Sequence, residues 1–189
     1  MVIDEMWFDM KDGRKALIRS PREEDIEGML DHLRVSAGET EFIIRCPEEC
    51  DKYTYENEKK LFEQLNASED NAMLVCLVDG RVAGNSQIMF NSKRKTRHRA
   101  NVAIALNREF WNQGIGTRLF EEMIRLAEGR GDILQMELEV VEGNDRARHL
   151  YEKMGFRIVG VRPDAIRQKD GALRDEYVMI RKMEGDKNK

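Results

Sequence analysis

The sequence predicts an α/β (α+β) fold in which about four helices flank a mixed, mostly antiparallel central sheet of six to seven strands. Two observations carry this prediction. Apolar runs on both sides of Asp79 and Gly80, a pair typical of a two-residue turn, predict an antiparallel hairpin. An apolar run at 101–106, a glycine turn that opens an amphipathic helix, and an alternating run at 134–141 then indicate a parallel crossing at the centre of the sheet.

The other elements follow from the same kinds of pattern. Ser20, Pro21 and Glu23 form a typical helix start. The run at 101–106 shows little alternation, which predicts a strand buried on both faces. The remaining predicted elements are a strand at 15–21, helices at 22–35 and 54–65, and strands at 156–161 and 176–183 joined by a turn at 169–172.

Length and charge limit the organisation of the chain and its partners. A chain of 189 residues without a linker rich in proline, glycine or serine predicts one domain over 1–189, with a core at 15–183 and a flexible tail at 184–189. Its 32 basic and 36 acidic residues give a net charge of −4, which argues against nucleic-acid binding. The basic cluster at 93–99 is expected to be a solvated loop between strands, and its alternative reading is a clamp for phosphates or an acidic partner.

Composition also bears on location and on metal chemistry. No apolar run approaches the roughly 18 residues of a membrane span, and the N-terminus lacks the features of a signal peptide, so we expect a cytoplasmic protein with no membrane partner. The cysteines and histidines are Cys46, Cys50, Cys76, His32, His98 and His149. Their number and spacing fit neither a disulfide framework nor a metal-ligand set, so no metal site is expected.

The glycine turn is the first candidate binding site. Gly114 and Gly116 stand between the strand at 101–106 and a helix whose apolar residues recur at three- and four-residue spacing. Glycine lets a backbone approach a ligand closely, and the start of a helix presents NH groups at its positive end, so this order predicts an anion site. The turn matches neither a Walker loop, which needs a lysine after the glycine, nor a dinucleotide fingerprint, because Leu119 replaces the third glycine.

A second motif lies at 144–156. Asn144 is a good N-cap, Gly155 closes the helix, and Tyr151 lies on its apolar face. An ordinary amphipathic helix with a core tyrosine explains this pattern. The alternative is that the hydroxyl of a buried tyrosine finds its partner in a ligand.

Together the two motifs, WNQGIGTRLFEEMI at 111–124 and ELEVVEGNDRARHLYEKMGF at 137–156, resemble the GNAT superfamily of N-acetyltransferases. The resemblance covers residues 15–183 and implies a GNAT-like fold with acetyl-CoA as cosubstrate. It implies that the glycine turn binds the pyrophosphate, although Trp111 stands where the family has glutamine or arginine. The aromatic pair before the turn is similar to a subgroup that acts on small amines, amino acids or protein N-termini.

The resemblance also implies a role for individual residues. The pyrophosphate would be bound by Gln113, Gly114, Ile115, Gly116 and Thr117. The pantetheine arm would be bound by the backbone at Val102, Ala103, Ile104 and Leu106 and by Asn144, Ala147 and Tyr151. In this reading Tyr151 is also the acid that protonates the departing thiolate.

The base that deprotonates the amine is less defined. An alkylammonium titrates near pH 10.4 and a thiol near 8.5, so at neutral pH the amine needs a base more than the thiolate needs an acid. Relatives place a glutamate on the central strand where this chain has Ala100. Glu137, Glu139 and His98 remain as candidates, and Glu137 is the predicted base; solvated strand positions explain both glutamates equally well.

The acceptor is predicted to be the primary amine of a small molecule or amino acid, attacking acetyl-CoA directly in a ternary complex. Glu39 and Glu41 in the segment 36–42 could attract a cationic amine, and the hairpin around 167–177 could close the other side of the site. One alternative is a protein N-terminus or lysine as acceptor, and another is an inactive CoA-binding regulatory module. The sequence leaves a homodimer open.

Overall fold

The computed structural model describes residues 1–183, and the predicted tail at 184–189 lies outside them. The strands, numbered in chain order β1 to β8, cover Met6–Asp9, Lys15–Arg19, Asn71–Val78, Arg81–Phe90, Arg99–Leu106, Gln135–Val141, Arg157–Arg167 and Leu173–Lys182. The helices, numbered α1 to α4, cover Ile26–Glu39, Tyr55–Ala67, Ile115–Arg130 and Asp145–Lys153. Short 3-10 turns lie at Glu23–Asp25, Pro47–Lys52 and Arg108–Phe110.

The strands are hydrogen-bonded in the order β1-β2-β3-β4-β5-β6-β8-β7. The β5–β6 pair is parallel, whereas β1–β2, β2–β3, β3–β4, β6–β8 and β7–β8 are antiparallel. This mixed, mostly antiparallel sheet confirms the predicted fold class and the parallel crossing. The strand number is eight rather than six to seven, because β1 is a four-residue strand with alternating exposed positions that carries too little pattern to be read from sequence.

Two compact units divide the described chain. The first consists of 1–89 and 103–119, and the second begins with 90–102 and continues from Phe120. The division falls inside β5 and inside α3, so each of these elements contributes to both units. The single-domain organisation therefore stays a prediction.

In the first unit, α1 and α2 bury one apolar face each. The buried side chains of these helices pack with side chains of β3 and β4 in one hydrophobic cluster. The cluster consists of Ile26, Met29, Leu33, Phe62, Met73, Val75 and Val82. The turn between β3 and β4 has positive φ at Asp79 (50°) and Gly80 (74°), which confirms the predicted hairpin.

The end of α1 differs from the prediction. The helix runs to Glu39 instead of 35, since the Arg45 guanidinium donates to the Leu33 carbonyl (3.2 Å) and to Ser36 Oγ (2.8 Å) and so stabilises the last turns. Most of the segment 36–42 that was assigned to an acceptor loop is therefore helical. Arg45 lies beyond the end of the helix, so the apolar periodicity of the helix itself could not show this contact.

In the second unit, β6 is paired on both sides. Arg99–Asn101 of β5 run parallel to its first residues, and β8 runs antiparallel along its whole length. Gly155, with φ +85°, ends α4 as predicted. None of the helices within residues 1–183 is long and apolar enough to cross a membrane.

Candidate coenzyme and catalytic site

The glycine turn in the first unit has the backbone geometry that an anion site needs. Gly114 has φ +94° and Asn112 has φ +62°, so the chain reverses just before α3 begins at Ile115. A Cβ built on Gly114 would meet no atom within 4 Å, which means that the space in front of it is open. Ile115 is fully buried and fixes the start of the helix, so the first turn of α3 is rigidly placed beside this open space.

Gln113 is held by the hairpin between β1 and β2. Its backbone carbonyl accepts a hydrogen bond from the Lys11 N–H (3.3 Å), and its side-chain Oε1 accepts one from the Asp12 N–H (3.1 Å). Both contacts join the glycine turn to a segment that the sequence analysis left outside the core. These two hydrogen bonds from the hairpin hold the backbone and the side chain of Gln113 in place.

Trp111 stands at the position where the resemblance implies glutamine or arginine, and its side chain is held by neighbouring residues. Its indole Nε1–H donates to the Leu106 carbonyl (2.8 Å), and the Arg108 guanidinium lies 5.4 Å from the centre of its ring. The tryptophan therefore fastens the end of β5 to the start of the glycine turn. These contacts give Trp111 a structural role.

The end of β5 is more open than predicted. Ala100 and Val102 are buried, but Ala103 is exposed and Ile104 and Leu106 are half-buried, so the prediction of burial on both faces was wrong for this half of the strand. The apolar end of β5 thus has surface that the first unit does not cover. On the side of β4 the backbones are in close contact, since a Cβ on Gly84 would lie 2.4 Å from the Ala105 carbonyl oxygen.

Tyr151 lies on α4 in the second unit, within an aromatic cluster. Its ring centre is 5.4 Å from that of Phe120 and 6.4 Å from that of Phe156, both edge-on. Burial raises the pKa of Tyr151 to about 12, against an opposing effect from the charge of Arg146. The phenol is therefore protonated at neutral pH, and within residues 1–183 its hydroxyl has no hydrogen-bond partner.

The start of α4 is capped as the sequence predicted. Asn144 Oδ1 accepts a hydrogen bond from the Ala147 N–H (3.3 Å), and its own N–H donates to the Val141 carbonyl (3.1 Å). These contacts fix the loop that joins β6 to α4. Contact of Asn144 and Ala147 with pantetheine stays a prediction.

Glu137, the predicted base, is part of an ion-pair network in the second unit. Arg99 Nε and Gln135 Nε2 each lie 2.5 Å from Glu137 Oε1. Burial acts to raise the pKa of Glu137, but the hydrogen bonds from Arg99 and Gln135 and the charge of Arg99 outweigh it, so this pKa is lowered. A carboxylate held in this way is a weak base, and the role of Glu137 stays a prediction.

The other two candidate bases are placed differently. Glu139 is exposed and lies 3.7 Å from Arg162. His98 is the last residue before β5, and its carbonyl accepts hydrogen bonds from the Leu134 and Gln135 N–H groups. Most residues of the basic cluster at 93–99 are exposed, which agrees with the predicted solvated loop between two strands.

The two glutamates predicted to attract the acceptor, Glu39 and Glu41, differ in their surroundings. Glu39 ends α1, and its carboxylate accepts a 2.6 Å hydrogen bond from the Arg108 N–H. The Arg108 guanidinium in turn donates to the Glu39 carbonyl. Glu41 is exposed. Glu39 therefore joins α1 to the segment after β5, and amine recognition by either glutamate stays a prediction.

Sequence reasoning missed a buried polar cluster beside that segment. His32 of α1 is fully buried, with Nδ1 2.6 Å from Asn107 Oδ1 and Nε2 3.1 Å from Asn85 Oδ1. Burial lowers the pKa of His32, against the opposing effect of the two hydrogen bonds. Only the position of His32 on the apolar side of a helical pattern indicated burial. Its partners come from β4 and from the residue that follows β5.

Among the described residues, no group of three or more histidine, cysteine, aspartate or glutamate side chains could hold a metal ion. Cys46, Cys50 and Cys76 are free thiols. The residues predicted to bind acetyl-CoA or to act in catalysis fall into two sets, one in each unit. The glycine turn and residues 103–106 belong to the first unit, and Val102, Glu137, Asn144, Ala147 and Tyr151 belong to the second.

Comparison with known proteins identifies the family. The model of the acetyltransferase (GNAT) family matches residues 40–156. The L-amino acid N-acetyltransferase AaaT of Escherichia coli (strain K12) is 31% identical over 109 residues, which is 57% of this chain and 66% of that enzyme. The chain thus spans just under two thirds of the length of this curated relative.

Solved structures give the same result. A GNAT-family acetyltransferase from Streptococcus pneumoniae superposes with a TM-score of 0.83 and 27% identity over 89% of this chain and 99% of that one. A GNAT phosphinothricin acetyltransferase from Sinorhizobium meliloti, solved in complex with acetyl-CoA, shares the fold, with a TM-score of 0.77 and 21% identity over 92% of each chain. The match over 40–156 includes the glycine turn, Asn144 and Tyr151, and this chain belongs to the GNAT acetyltransferase family.

Proposed function

We propose that the protein is an N-acetyltransferase that transfers the acetyl group of acetyl-CoA to the primary amine of a small molecule or amino acid. The observation that carries the proposal is the Tyr151 hydroxyl, which is protonated, lies on a buried ring and has no partner within the described residues. Such a phenol has a proton that it can donate to a departing thiolate. The family and the L-amino acid N-acetyltransferase relative support the same reaction.

In this proposal the glycine turn binds the pyrophosphate of acetyl-CoA. Gly114, at φ +94° with open space in front of it, allows phosphate oxygens to approach the backbone. The start of α3 at Ile115 supplies NH groups that can donate hydrogen bonds to these oxygens. Gln113, Gly116 and Thr117 complete the predicted turn. The uncovered apolar end of β5 would receive the pantetheine arm through Ala103, Ile104 and Leu106.

The chemistry follows from the groups available. The neutral amine nitrogen attacks the thioester carbonyl carbon, the carbon–sulfur bond breaks, and the thiolate takes the proton of the Tyr151 hydroxyl. The additional proton on the nitrogen is lost to solvent, and the phenolate regains a proton from solvent. A phenol with a pKa of about 12 is a weaker acid than an ordinary one, so we expect its contribution to be near the lower end of general-acid catalysis, about 100-fold.

For the base, the structure favours solvent over a carboxylate. Glu137 has a lowered pKa because Arg99 and Gln135 hold it, and Ala100 provides no titratable group at all. Glu137 as the base remains an alternative for the pH profile to test. If solvent removes the proton, the rate rises with the fraction of neutral amine, since an alkylammonium titrates near 10.4.

The experiment is an acceptor panel. Free thiol release from acetyl-CoA is followed with amino acids, small amines, a peptide with a free N-terminus and a lysine peptide. Thiol release with amino acids or small amines is the expected result. Release with peptides alone would support the protein-acceptor alternative, and acetyl-CoA binding without turnover on any acceptor would support the inactive regulatory module.

A further inference from the structure

We propose that Lys11, in the hairpin between β1 and β2, is a further coenzyme-binding residue whose ammonium group contacts the pyrophosphate at the glycine turn. This inference rests on the proposed function. It assigns a binding role to a segment that lies outside the family match at 40–156 and outside the core predicted from sequence.

The hairpin is attached to the glycine turn at several points. The Lys11 and Asp12 N–H groups both donate to Gln113, at 3.3 Å and 3.1 Å. Two cation–π contacts join the same parts of the chain. The Arg118 guanidinium lies 5.9 Å from the ring centre of Phe8, and the Arg14 guanidinium lies 5.6 Å from that of Phe110. The backbone of Lys11 is therefore in direct contact with the turn.

The hairpin itself is well defined. The Met10 N–H donates to the Arg14 carbonyl (2.8 Å), and the Gly13 N–H donates to the Met10 carbonyl (3.0 Å), with Gly13 at φ +87°. The Asp12 carboxylate receives two hydrogen bonds from the Arg14 guanidinium, at 3.0 Å and 2.8 Å. A basic side chain on this turn thus starts from a fixed backbone position, which lowers the entropic cost of binding an anion.

Charge points to Lys11 and not to its neighbours. In the hairpin, Arg14 is paired with Asp12, and Lys15 lies 3.4 Å from Asp9. Lys11 is exposed, and its ammonium group has no ion-pair or hydrogen-bond partner in the described part of the chain. Within this hairpin, Lys11 is therefore the basic side chain that is not paired with a carboxylate of the described residues.

The glycine turn needs such a cation. Residues 111–117 contain no lysine, arginine or histidine, so the turn itself supplies no cationic side chain to a ligand that carries two negative charges. The basic residues on either side are engaged, since Arg108 is bonded to Glu39 and Arg118 packs on Phe8 with a further partner. A flexible lysine reaching over from the hairpin balances the charge without a change in the turn.

The test compares coenzyme affinity in two lysine variants. Lys11→Gln is expected to raise the Kd for CoA about two- to fivefold, as for one exposed ion pair, and Lys11→Glu to raise it further. The matched control, Lys15→Gln, removes an exposed lysine of the same hairpin and should leave the Kd unchanged. The Km for an acetyl thioester of pantetheine, which has no phosphate, should be the same in all of these variants.

Binding of dephospho-CoA shows whether Lys11 contacts the pyrophosphate or the 3′-phosphate. This analogue keeps the pyrophosphate and lacks the 3′-phosphate, so the effect of Lys11→Gln should persist with it; loss of the effect would overturn the assignment to the pyrophosphate. Wild-type affinity in both Lys11 variants would overturn the inference while leaving the proposed function intact. A wild-type protein that binds no CoA would contradict the proposed function itself.

Discussion

The glycine turn and the α4 tyrosine are built in opposite ways. The turn is fixed from several sides, by Gln113 on the hairpin, by Trp111 on the Leu106 carbonyl and by the buried Ile115. Tyr151 lies in an apolar cluster in which packing fixes the ring and nothing in the described chain binds the hydroxyl. The first region offers backbone geometry, and the second offers one reactive group.

This difference predicts how each region responds to substitution. Where backbone NH groups bind the ligand, a change in local conformation alters affinity. Where one hydroxyl transfers a proton, its removal alters turnover and leaves affinity in place.

Tyr151→Phe should lower kcat about 100-fold while the Kd for acetyl-CoA stays unchanged, because only the proton donor is removed and the ring keeps its packing. Steady-state kinetics and calorimetry measure the two quantities. Tyr55→Phe, which removes an exposed hydroxyl bonded to Glu23 at 3.2 Å, is the control and should keep full activity. Unchanged kcat in Tyr151→Phe would make this residue a part of the core only.

Gly114→Val should weaken acetyl-CoA binding about tenfold, since a β-branched residue strains the backbone at φ +94° and its side chain enters the space in front of the turn. Gly116→Val should act in the same direction. Gly131→Val is the matched control, with φ +72° and open space around its Cβ but no part in the turn. An equal loss of affinity in the Gly131 and Gly114 variants would mean that general destabilisation, and not the turn, is responsible.

Glu137→Gln should leave the shape of the pH–rate profile unchanged. The pKa of Glu137 is lowered by Arg99 and Gln135, so this carboxylate is already ionised well below neutral pH and cannot produce a rising limb there. The rate should keep climbing toward the pKa of the amine in both proteins. A limb that flattens in the wild type and disappears in Glu137→Gln, but not in Glu139→Gln, would restore Glu137 as the base.

The smallest expected effect is the pH dependence of stability that the buried His32 of the first unit causes. Since burial lowers the pKa of His32, the unfolded chain binds a proton more readily than the folded one. The free energy of unfolding should therefore be fully retained above about pH 6.5 and decrease as the pH falls from there toward the folded-state pKa. Denaturant titrations of His32→Gln should show a smaller decrease over this range; an identical pH dependence would contradict the prediction.

Much of the fold could be predicted because it depends on local pattern. The Asp79–Gly80 hairpin, the amphipathic α3 and the capped α4 each have their signal within about a dozen residues. The elements that differ depend on contacts with residues outside the element itself. β1 exists through its pairing with β2, and the last turns of α1 are stabilised by Arg45.

The site shows the same limit. The positive φ of Gly114 and the cap at Asn144 follow from residue type. By contrast, nothing near Trp111 in the sequence reveals its bond to Leu106, and the ion pair of Glu137 joins residues 38 positions apart. Charged and polar side chains find partners across the fold, so their availability for chemistry cannot be read from their spacing.

An NMR titration that follows the backbone amides of residues 113–117 tests the phosphate site at the glycine turn directly. Acetyl-CoA should shift the resonances of Gly114 and Gly116 in a saturable way, and pantetheine, which lacks the phosphates, should leave them in place. Saturation by acetyl-CoA, detected by calorimetry on the same sample, without any change at these amides would contradict the assignment of the glycine turn as the phosphate site.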